Sequence, residues 1–346
     1  MTTEQPVLLI TGGAGYVGST LIRDALSDGY FVKCIDSLVY GGQAIVGFLN
    51  HPRFSFVRGD IRDMALMKDQ LQGVDYVIHL AAIVGDKPCQ AAPESTLQIN
   101  FHGTRDLAEL SRHTKVKKFL FGSTCSNYGI SNPDSFATED SSLNPVSLYA
   151  ETKIDCERVL QEMSDEHFGA TSVRFGTAFG LSFRTRFDLA VNSFAFEAWK
   201  LKEIVVFAAD TWRPYIHVAD MSVILRKLLR CQSDQVSGQI FNGGATSQNF
   251  MKRDMVKMLE EVMPELKTKY IDSVDDRRDY RVSCAKLERQ IDFVPTRTVK
   301  EGFIEILSAF SSGILSEKWY EANTLDALTE FFRRYEREEK RVMRDG

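Results

Sequence analysis

A glycine-rich turn near the N-terminus constrains the fold of this chain more than any other feature of its sequence. The segment TGGAGYVG at residues 11–18 follows an apolar run at Val7–Thr11 and precedes a helical pattern at Val17–Leu26. Spaced glycines permit a tight turn and a close backbone approach to a pyrophosphate, which the free N–H groups of a helix N-terminus attract. We therefore predict a strand–turn–helix unit that binds a dinucleotide. The residues assigned to the cofactor in this turn are Gly12, Gly15, Tyr16 and Val17.

An acidic residue lies about 20 positions beyond this turn, where dinucleotide-binding units carry one. Asp36 ends the second apolar run, Phe31–Asp36. A carboxylate at this place hydrogen-bonds the hydroxyls of the adenosine ribose and repels a 2′-phosphate. Residues 37–40 include no Arg or Lys that would attract such a phosphate. We therefore predict NAD, and not NADP, as the cofactor.

Apolar runs alternate with helical patterns through the first half of the chain. The runs are Val7–Thr11, Phe31–Asp36, Phe54–Arg58, Tyr76–Leu80, Lys118–Ser123 and Thr171–Phe175. Strands that are apolar on both faces and alternate with helices indicate a parallel sheet covered by helices on both sides. After about Phe179 the alternation weakens, and helical patterns return at Met221–Leu229, Lys252–Met263 and Val299–Phe310. The fold class we predict is α/β, a doubly wound parallel (Rossmann) sheet with a smaller, mostly helical C-terminal substrate lobe.

This pattern divides the chain into regions. Residues 1–180 are predicted to form the NAD-binding Rossmann domain, which includes a catalytic helix, and residues 181–320 a mainly substrate-binding lobe interleaved with it. Within the lobe we predict irregular segments at Leu181–Asn192 and Trp212–Asp220. Residues 321–346 are predicted to form a helical tail, because Leu325–Met343 is charged and amphipathic. A solvated terminal helix is the favoured interpretation of this tail, and a partner-binding helix is the alternative.

Composition and charge argue against several other classes of function. The chain of 346 residues has a net charge of −5 and no basic block, so a nucleic-acid partner is not expected. Its six cysteines show no paired or disulfide-like spacing, which is typical of a reducing compartment. The N-terminal apolar run is too short for a signal peptide or a membrane span. We expect a cytoplasmic protein without a membrane partner, and the spacing of its histidines implies no metal site.

Further motifs follow the glycine turn in a characteristic order. They are Gly59-Asp60-Ile61-Arg62-Asp63, His79-Leu80-Ala81-Ala82, Asn100, Ser123-Thr124, Tyr149-x-x-x-Lys153 and Arg213-Pro214-Tyr215-Ile216-His217-Val218-x-Asp220. With these motifs the chain resembles the extended short-chain dehydrogenase/reductase family, specifically its NAD-dependent nucleotide-sugar epimerases and dehydratases. The resemblance extends from Val7 to about Phe310. It implies NAD as the cofactor and a nucleotide-diphosphate sugar as the substrate.

The resemblance also implies a role for each matching residue. Thr124, Tyr149 and Lys153 form the catalytic group, and the last two also contact the cofactor. Further cofactor contacts are implied for Asp60, Ile61, Leu80, Ala81, Ala82, Asn100, Ser123 and Phe175. Substrate contacts are assigned to Thr124, Ser126, Thr177, Asn192, Arg184, Arg186, Arg213 and Arg278. An arginine fork matches a phosphate, and Arg213 and Arg278 are the preferred partners of the substrate diphosphate.

The spacing of Tyr149 and Lys153 suits proton transfer. Residues four apart share one helix face, and Asn144 with Pro145 is predicted to start this helix. A free tyrosine has a pKa of about 10, and a fixed ammonium beside it favours the phenolate and lowers that pKa. The phenolate can then accept the proton of a sugar hydroxyl while the cofactor takes the hydride, with Thr124 orienting the same oxygen.

The residues after the catalytic threonine depart from the family pattern. Cys125 and Ser126 stand where dehydratases of the family carry an Asp-Glu pair, and decarboxylating relatives carry Glu in place of Ser126. Simple 4-epimerases commonly have small residues here, so the resemblance favours an epimerase, although Thr177 replaces the Asn of many epimerases. Cys125 itself is either a small packing residue or a thiol that exchanges a proton at a neighbouring carbon.

The predicted reaction is therefore epimerisation through transient oxidation at C4 of the sugar. Alternatives are a nucleotide-sugar 4-dehydrogenase or ketoreductase, a dehydratase that uses Cys125, and a non-catalytic NAD-binding protein, which the complete catalytic group argues against. We also expect a homodimer, because family members often pair the helices at Gly103–His113 and Tyr149–Glu162. Its apolar patch would consist of Leu107, Leu110, Val159 and Leu160, unless these side chains pack onto the sheet of their own subunit.

Overall fold

Short strands form the framework of the fold. The computed structural model describes residues 5–131, 135–272, 278–321 and 323–345. Its strands are β1 (Val7–Thr11), β2 (Phe31–Asp36), β3 (Phe54–Arg58), β4 (Tyr76–His79), β5 (Lys118–Thr124), β6 (Phe136–Ala137), β7 (Gly169–Phe175), β8 (Thr177–Phe179), β9 (Glu203–Phe207), β10 (Trp212–His217), β11 (Ile240–Gly243), β12 (Asn249–Met251), β13 (Lys267–Ile271) and β14 (Arg281–Val282). The predicted strands are all confirmed, and the bounds of the first three agree with the prediction.

Helices connect these strands and cover the sheet. They are α1 (Tyr16–Ser27), α2 (Met64–Gln70), α3 (Asp86–Ala91), α4 (Pro93–Thr96), α5 (Thr104–Arg112), α6 (Leu148–Met163), α7 (Ala190–Leu201), α8 (Val218–Arg230), α9 (Ser233–Val236), α10 (Lys252–Val262), α11 (Ala285–Ile291), α12 (Val299–Ser311), α13 (Glu317–Glu321) and α14 (Leu325–Asp345). A π-helical turn at Leu97–Gly103 joins α4 to α5. The predicted helical patterns correspond to α1, α5, α6, α8, α10, α12 and α14.

The main sheet has seven parallel strands in the order β11-β7-β5-β4-β1-β2-β3. Thr11 of β1 lies opposite Ile35 of β2 on one side and His79 of β4 on the other. The direction of winding reverses between β1 and β4, so the carboxyl ends of these two strands open a crevice of the kind in which α/β sheets bind ligands. This arrangement confirms the predicted doubly wound fold. It also brings Gly12, which follows β1, against Leu80, which follows β4.

Both faces of the sheet are apolar because helices cover both of them. Leu8 and Ile10 of β1 pack on one face with α1 and α8, and Leu9 packs on the other face with α2 and α5. All three side chains are fully buried. Alternate residues of a strand point to opposite faces, so a strand that is buried on both sides is an unbroken apolar run in the sequence.

The chain after Phe179 builds a second core around α7, α10 and α12. Strand β11 leaves this region and pairs with β7 at the edge of the main sheet, so the two parts share one sheet. The prediction of an irregular segment at Trp212–Asp220 is wrong, because β10 and the start of α8 occupy it. Nearly every residue of β10 is buried, but the strand contains Arg213, Pro214 and His217, so its sequence is neither alternating nor continuously apolar. The other predicted irregular segment is shortened, because α7 begins at Ala190.

The helix that carries Tyr149 and Lys153 starts later than predicted. Ser147 is its N-cap, and the Ser147 hydroxyl accepts a hydrogen bond from the N–H of Ala150 at 3.4 Å. The predicted start at Asn144 is wrong, because the N–H of Asn144 donates instead to the carbonyl oxygen of Asn127. That contact holds the chain before α6 against the turn that follows β5, and the helix is capped three residues later, at Ser147.

The C-terminal helix α14 is not the solvated helix that its charge suggested. Its side chains Leu328 and Phe332 are only 5% and 3% exposed. Phe332 packs against Ile83, Cys89 and Ala92 in the segment that follows β4. Apolar residues four apart form one helix face, and here protein covers that face instead of water. The prediction of a solvated tail is therefore wrong.

Two of the residues predicted for a dimer surface lie inside the subunit. Leu107 of α5 and Leu160 of α6 are almost completely buried in the core between these helices and the sheet. Leu110 and Val159 are half-buried. The prediction that Leu107 and Leu160 belong to an intersubunit patch is wrong, because the sheet of their own subunit already covers them.

Candidate active site

The glycine turn lies at the carboxyl end of β1 and leads directly into α1. Gly12 has a φ of +72°, and a Cβ there would lie 2.7 Å from the backbone N of Ala81. A Cβ on Gly18 would lie 2.3 Å from the carbonyl oxygen of Gly12. Gly15 is the N-cap of α1 and offers no side chain to the first N–H groups of this helix. The turn therefore forms a cradle of N–H groups that fits the pyrophosphate of a dinucleotide.

Asp36 ends β2 beside this turn. Its carboxylate accepts hydrogen bonds from the N–H of Ala14 at 3.0 Å and from the N–H of Leu38 at 2.8 Å. Burial raises the pKa of this carboxyl group, and the two backbone hydrogen bonds act in the opposite direction. The N–H groups hold the carboxylate at the wall of the cleft, where it can accept hydrogen bonds from the hydroxyls of an adenosine ribose.

A cavity of about 940 Å³ extends from Asp36 and the glycine turn past α6 and into the lobe. Ligand pockets commonly measure about 300–1,000 Å³, so this cavity lies at the upper end of that range. The structure describes every predicted site residue, and all but Asn100, Cys125 and Asn192 line this cavity. The cavity therefore brings together residues that are spread over most of the chain.

The predicted catalytic group meets in this cavity. Tyr149 and Lys153 lie one turn apart on α6, with Lys153 Nζ 5.9 Å from the centre of the Tyr149 ring. Lys153 Nζ donates to the carbonyl oxygen of Gly122 at 2.8 Å, which fixes the ammonium beside β5. Thr124 ends β5 and lines the same part of the cavity as Tyr149. A phenol, an ammonium and a hydroxyl thus share one part of the cavity.

Burial dominates the electrostatics of this group. It raises the pKa of Tyr149 well above its ordinary value, while Arg186 and the hydrogen bond with Thr124 lower that pKa. Burial also lowers the pKa of Lys153 to about 8. Desolvation therefore sets the direction of the Tyr149 pKa shift, which is opposite to the lowering that the sequence predicted. A further positive charge at this wall, such as an oxidised nicotinamide carries, favours the tyrosinate.

Cys125 follows Thr124, but its side chain lies in the protein interior. Its thiol donates to the carbonyl oxygen of Arg174 at 3.0 Å, and the side chain packs with Tyr128 and Tyr280. Burial raises the pKa of the thiol far above its ordinary value. These contacts favour the packing role of Cys125 over a catalytic thiol, because its sulfur bonds to the backbone of β7 and the residue does not line the cavity.

Two predicted contact residues act on the backbone of other segments. Asn100 exchanges two hydrogen bonds with the backbone of Ile83, at 2.8 and 2.9 Å, and so holds the segment after β4. Asn192 accepts from the N–H of Gly180 at 2.9 Å and donates to the carbonyl oxygen of Arg186 at 2.7 Å. Both side chains are fully buried. Both side chains position the cavity wall, and their direct contacts with cofactor and substrate stay predictions.

Arg184 and Arg186 line the part of the cavity that lies next to the glycine turn. The guanidinium of Arg184 stacks on the ring of Tyr40, 3.6 Å from its centre, and its charge acts on Asp36. Arg186 pairs with Asp188 through two hydrogen bonds of 3.0 and 2.5 Å. These contacts favour a cofactor-side position for Arg184 over the predicted substrate contact.

Arg213 and Arg278 lie on the side of the cavity that faces the lobe. Arg278 Nη1 lies 3.2 Å from Asp86 Oδ2. Arg213 Nη1 donates to the carbonyl oxygen of Trp212 at 2.6 Å, and the guanidinium faces the ring of Tyr280 at 5.3 Å from its centre. Both guanidinium groups line the cavity, as a site for a diphosphate requires.

A buried ion pair behind the site escaped the sequence analysis. Arg174 of β7 and Glu157 of α6 pair at 2.7 Å, and their side chains are only 3% and 2% exposed. Glu157 also accepts from Ser123 Oγ at 2.5 Å and from Asn127 Nδ2 at 3.0 Å. The network ties the catalytic helix to the ends of β5 and β7. No local pattern marks it, because its members lie far apart in the sequence.

The contribution of α14 to the cavity was also missed. Leu328, Phe332 and Tyr335 line the cavity together with Asp60. The sequence contained a signal for this apolar face, because the three residues follow the spacing i, i+4 and i+7 of one side of a helix. The pattern shows that an apolar face exists, but it does not show which surface covers that face.

The structure also bears on metal binding and on membrane insertion. Within the described ranges, no group of three or more His, Cys, Asp or Glu side chains is arranged to hold a metal ion. Among the helices of those same ranges, none has both the length and the apolar character needed to cross a bilayer.

Comparison with known proteins gives matches over most of the chain. The model of the NAD dependent epimerase/dehydratase family matches residues 8–244. A dTDP-glucose 4,6-dehydratase of Streptomyces griseus is 27% identical over 326 residues, which are 87% of this chain and 92% of that relative. A UDP-glucose 4-epimerase of Bacillus subtilis is 26% identical over 278 residues, which are 74% of this chain and 81% of that relative.

A solved structure shares the fold. It is a UDP-glucuronic acid 4-epimerase from Bacillus cereus in complex with UDP-glucuronic acid and NAD, and it is 24% identical to this chain with a TM-score of 0.79. The alignment covers 88% of this chain and 99% of that structure. At this identity, the comparison shows that the two chains have the same architecture.

Proposed function

Because this chain belongs to the NAD dependent epimerase/dehydratase family, we propose that it is a nucleotide-sugar epimerase that acts at C4 of the sugar. Membership of the family confirms the resemblance that the motifs indicated, and NAD is its cofactor. When bound, NAD accepts a hydride from a carbon atom and can return it. The relatives described above catalyse different net reactions, so the choice of epimerisation rests on the site itself.

The convergence of Tyr149, Lys153 and Thr124 on the cavity of the glycine turn carries this proposal. The phenolate oxygen of Tyr149 accepts the proton of the C4 hydroxyl, and the Thr124 hydroxyl orients the same sugar oxygen. Lys153 keeps a positive charge near the Tyr149 ring and stabilises the phenolate. On the return step, the Tyr149 hydroxyl gives the proton back to the oxygen at C4.

The acidic groups around the cavity support epimerisation over dehydration. Removal of water needs an acid and a base beside the catalytic threonine, and Cys125 and Ser126 stand there. Each acidic side chain of the described cavity wall already has partners: Asp36 has backbone N–H groups, Asp60 has Arg62, Asp86 has Arg278 and Asp188 has Arg186. A sugar that has been oxidised at C4 is therefore expected to be reduced again by the returning hydride and not to lose water.

The proposed substrate is a nucleotide-diphosphate sugar. Arg213 and Arg278 supply positive charge for its diphosphate from the lobe side of the cavity.

We propose that the protein acts as a homodimer in the cytoplasm. Its six cysteines are all free thiols, which is consistent with a reducing compartment.

A substrate labelled with deuterium at C4 tests the net reaction. UDP-hexoses and dTDP-hexoses are screened for the appearance of a second sugar isomer by NMR. An epimerase should keep the label in the product while the absorbance of NADH stays low, because the same hydride returns inside the site. Tyr149→Phe is the control for isomerisation that does not depend on the site. Accumulation of NADH in step with substrate loss, or complete washout of the label, would decide for a dehydrogenase.

A further inference from the structure

The C-terminal helix α14 crosses the carboxyl edge of the main sheet. It contacts the segments that follow β2, β3 and β4. The ring of Tyr40, after β2, lies 6.2 Å from the ring of Phe332, measured between centres. Arg62, after β3, donates to the hydroxyl of Tyr335 at 3.1 Å, and Ile83, after β4, packs against Phe332. Doubly wound sheets bind their ligands at this edge, so α14 covers part of a ligand site.

Apolar side chains of α14 reach the cavity itself. Leu328, Phe332 and Tyr335 form part of its wall, together with Asp36 and Asp60. Asp36 marks the place of the adenosine ribose, so this apolar wall stands beside the space for the adenine base. A flat aromatic base buries most apolar area when it lies against aromatic side chains.

Polar contacts hold α14 in this position. The buried carboxylate of Glu336 accepts from the N–H of Ser95 at 3.0 Å and from its hydroxyl at 2.5 Å. Arg62 pairs with Glu339 of α14 at 2.6 Å and with Asp60 at 2.6 Å. Arg62 therefore joins the helix directly to a residue of the cavity wall. Hydrogen bonds to a buried carboxylate are costly to break, which favours a docked helix.

Asn323, two residues before α14, connects the start of this helix to the same part of the cavity. Arg184 Nη2 lies 3.3 Å from Asn323 Oδ1, and the guanidinium stacks on Tyr40. Arg184 is only 6% exposed, and its Nε has no hydrogen-bond partner among the described residues. A buried cation with an unsatisfied donor beside an open cavity suits an anionic ligand, such as a phosphate of the cofactor.

We propose that α14 is the adenosine-binding wall of the cofactor site and that it slows the release of NAD. The inference rests on the proposed cofactor site. Phe332 and Tyr335 contact the adenine, Arg184 faces a cofactor phosphate, and Glu336 and Arg62 keep the helix docked. A cofactor enclosed in this way stays bound while the hydride leaves and returns, which a recycling epimerase requires.

Calorimetry with NAD and with ADP-ribose tests this wall without any turnover. Phe332→Ala should weaken both ligands by the same factor, on the order of tenfold, because the adenine loses an apolar contact that both ligands share. The rate of NAD release, measured by displacement, should rise accordingly. Arg334→Ala is the control on the same helix, because the Arg334 side chain is 71% exposed and does not line the cavity. It should leave both affinities unchanged.

A second variant tests the attachment of α14 and leaves the cavity wall unaltered. Glu336→Gln removes the negative charge that accepts hydrogen bonds from the N–H and the hydroxyl of Ser95. The protein should still fold, but α14 should be held less firmly, and NAD release should be faster. Unchanged binding of NAD and ADP-ribose in both variants would overturn the proposal. A loss confined to NAD would also overturn it, because ADP-ribose contains the whole adenosine half. Failure of the wild-type protein to bind NAD would instead overturn the proposed cofactor site.

Discussion

In the proposed reaction, Tyr149 moves the proton. Burial raises the pKa of Tyr149, so the phenol can lose its proton only where hydrogen bonding and positive charge stabilise the phenolate. Arg186 and the side chain of Thr124 lower the pKa of Tyr149, and Lys153 Nζ lies 5.9 Å from the centre of the Tyr149 ring. Burial also lowers the pKa of Lys153 to about 8, so desolvation disfavours the charged forms of both side chains. The three residues therefore act as one unit.

Tyr149→Phe should remove most of the turnover and leave NAD binding intact. The aromatic ring stays in place, and only the proton acceptor is lost, which typically costs about 100- to 10,000-fold in rate. Steady-state kinetics with the active nucleotide-sugar and calorimetry with NAD measure the two effects. Tyr270→Phe is the control, because Tyr270 is exposed on β13 and does not line the cavity. Near-normal turnover of Tyr149→Phe would show that another group accepts the proton.

The ends of β5 and β7 and the helix α6 are held together behind the catalytic residues. Glu157 pairs with Arg174 and accepts hydrogen bonds from Ser123 and Asn127. A buried charge pair of this kind gains little over an apolar pair, but loss of one partner leaves the other charge uncompensated. The network therefore makes the position of α6 depend on β5 and β7.

Glu157→Ala should lower the free energy of unfolding by about 3–5 kcal/mol, because it strands the Arg174 guanidinium in the core. Unfolding in urea, followed by circular dichroism, measures this loss. The control is Arg158→Ala at the next position of the helix, where an exposed pair with Asp155 at 3.3 Å contributes about 0–1 kcal/mol. If both variants unfold at the wild-type urea concentration, the network does not anchor α6.

The molecule as a whole still offers a surface on α5 and α6 for a second copy. Leu107 and Leu160 pack onto their own sheet, whereas Leu110 and Val159 remain partly open to solvent. A homodimer must therefore use the outer faces of these helices, and the buried leucines support the helices from inside. The catalytic helix α6 would then lie at the interface, which would add to its rigidity.

Light scattering at micromolar concentration should give twice the 39.1 kDa mass of one chain. Val159→Arg should shift the protein towards single chains, because an unpaired charge in an interface is costly to desolvate. Val294→Arg makes the same change at a site that is 71% exposed on another part of the surface, and it should leave the mass unchanged. A single-chain mass for the wild-type protein would contradict the homodimer.

Features that depend on near neighbours in the chain could be inferred from the amino-acid sequence alone. The glycine turn, Asp36 at the end of β2 and the pair of Tyr149 and Lys153 all lie on the predicted elements. Turn geometry, strand alternation and helix periodicity act over a few residues, so their signals are local. The same reasoning located β1 to β5 and β7, because a strand buried on both faces is continuously apolar.

Contacts between distant segments became visible only in the folded molecule. The burial of Cys125, the backbone contacts of Asn192 and the approach of Arg184 to Asp36 each depend on a partner far away in the chain. The charged tail could be recognised as amphipathic, but its docking over the cofactor cleft depends on surfaces that the segments after β2, β3 and β4 build together. Periodicity specifies that a face is apolar, and packing in three dimensions specifies which surface covers it.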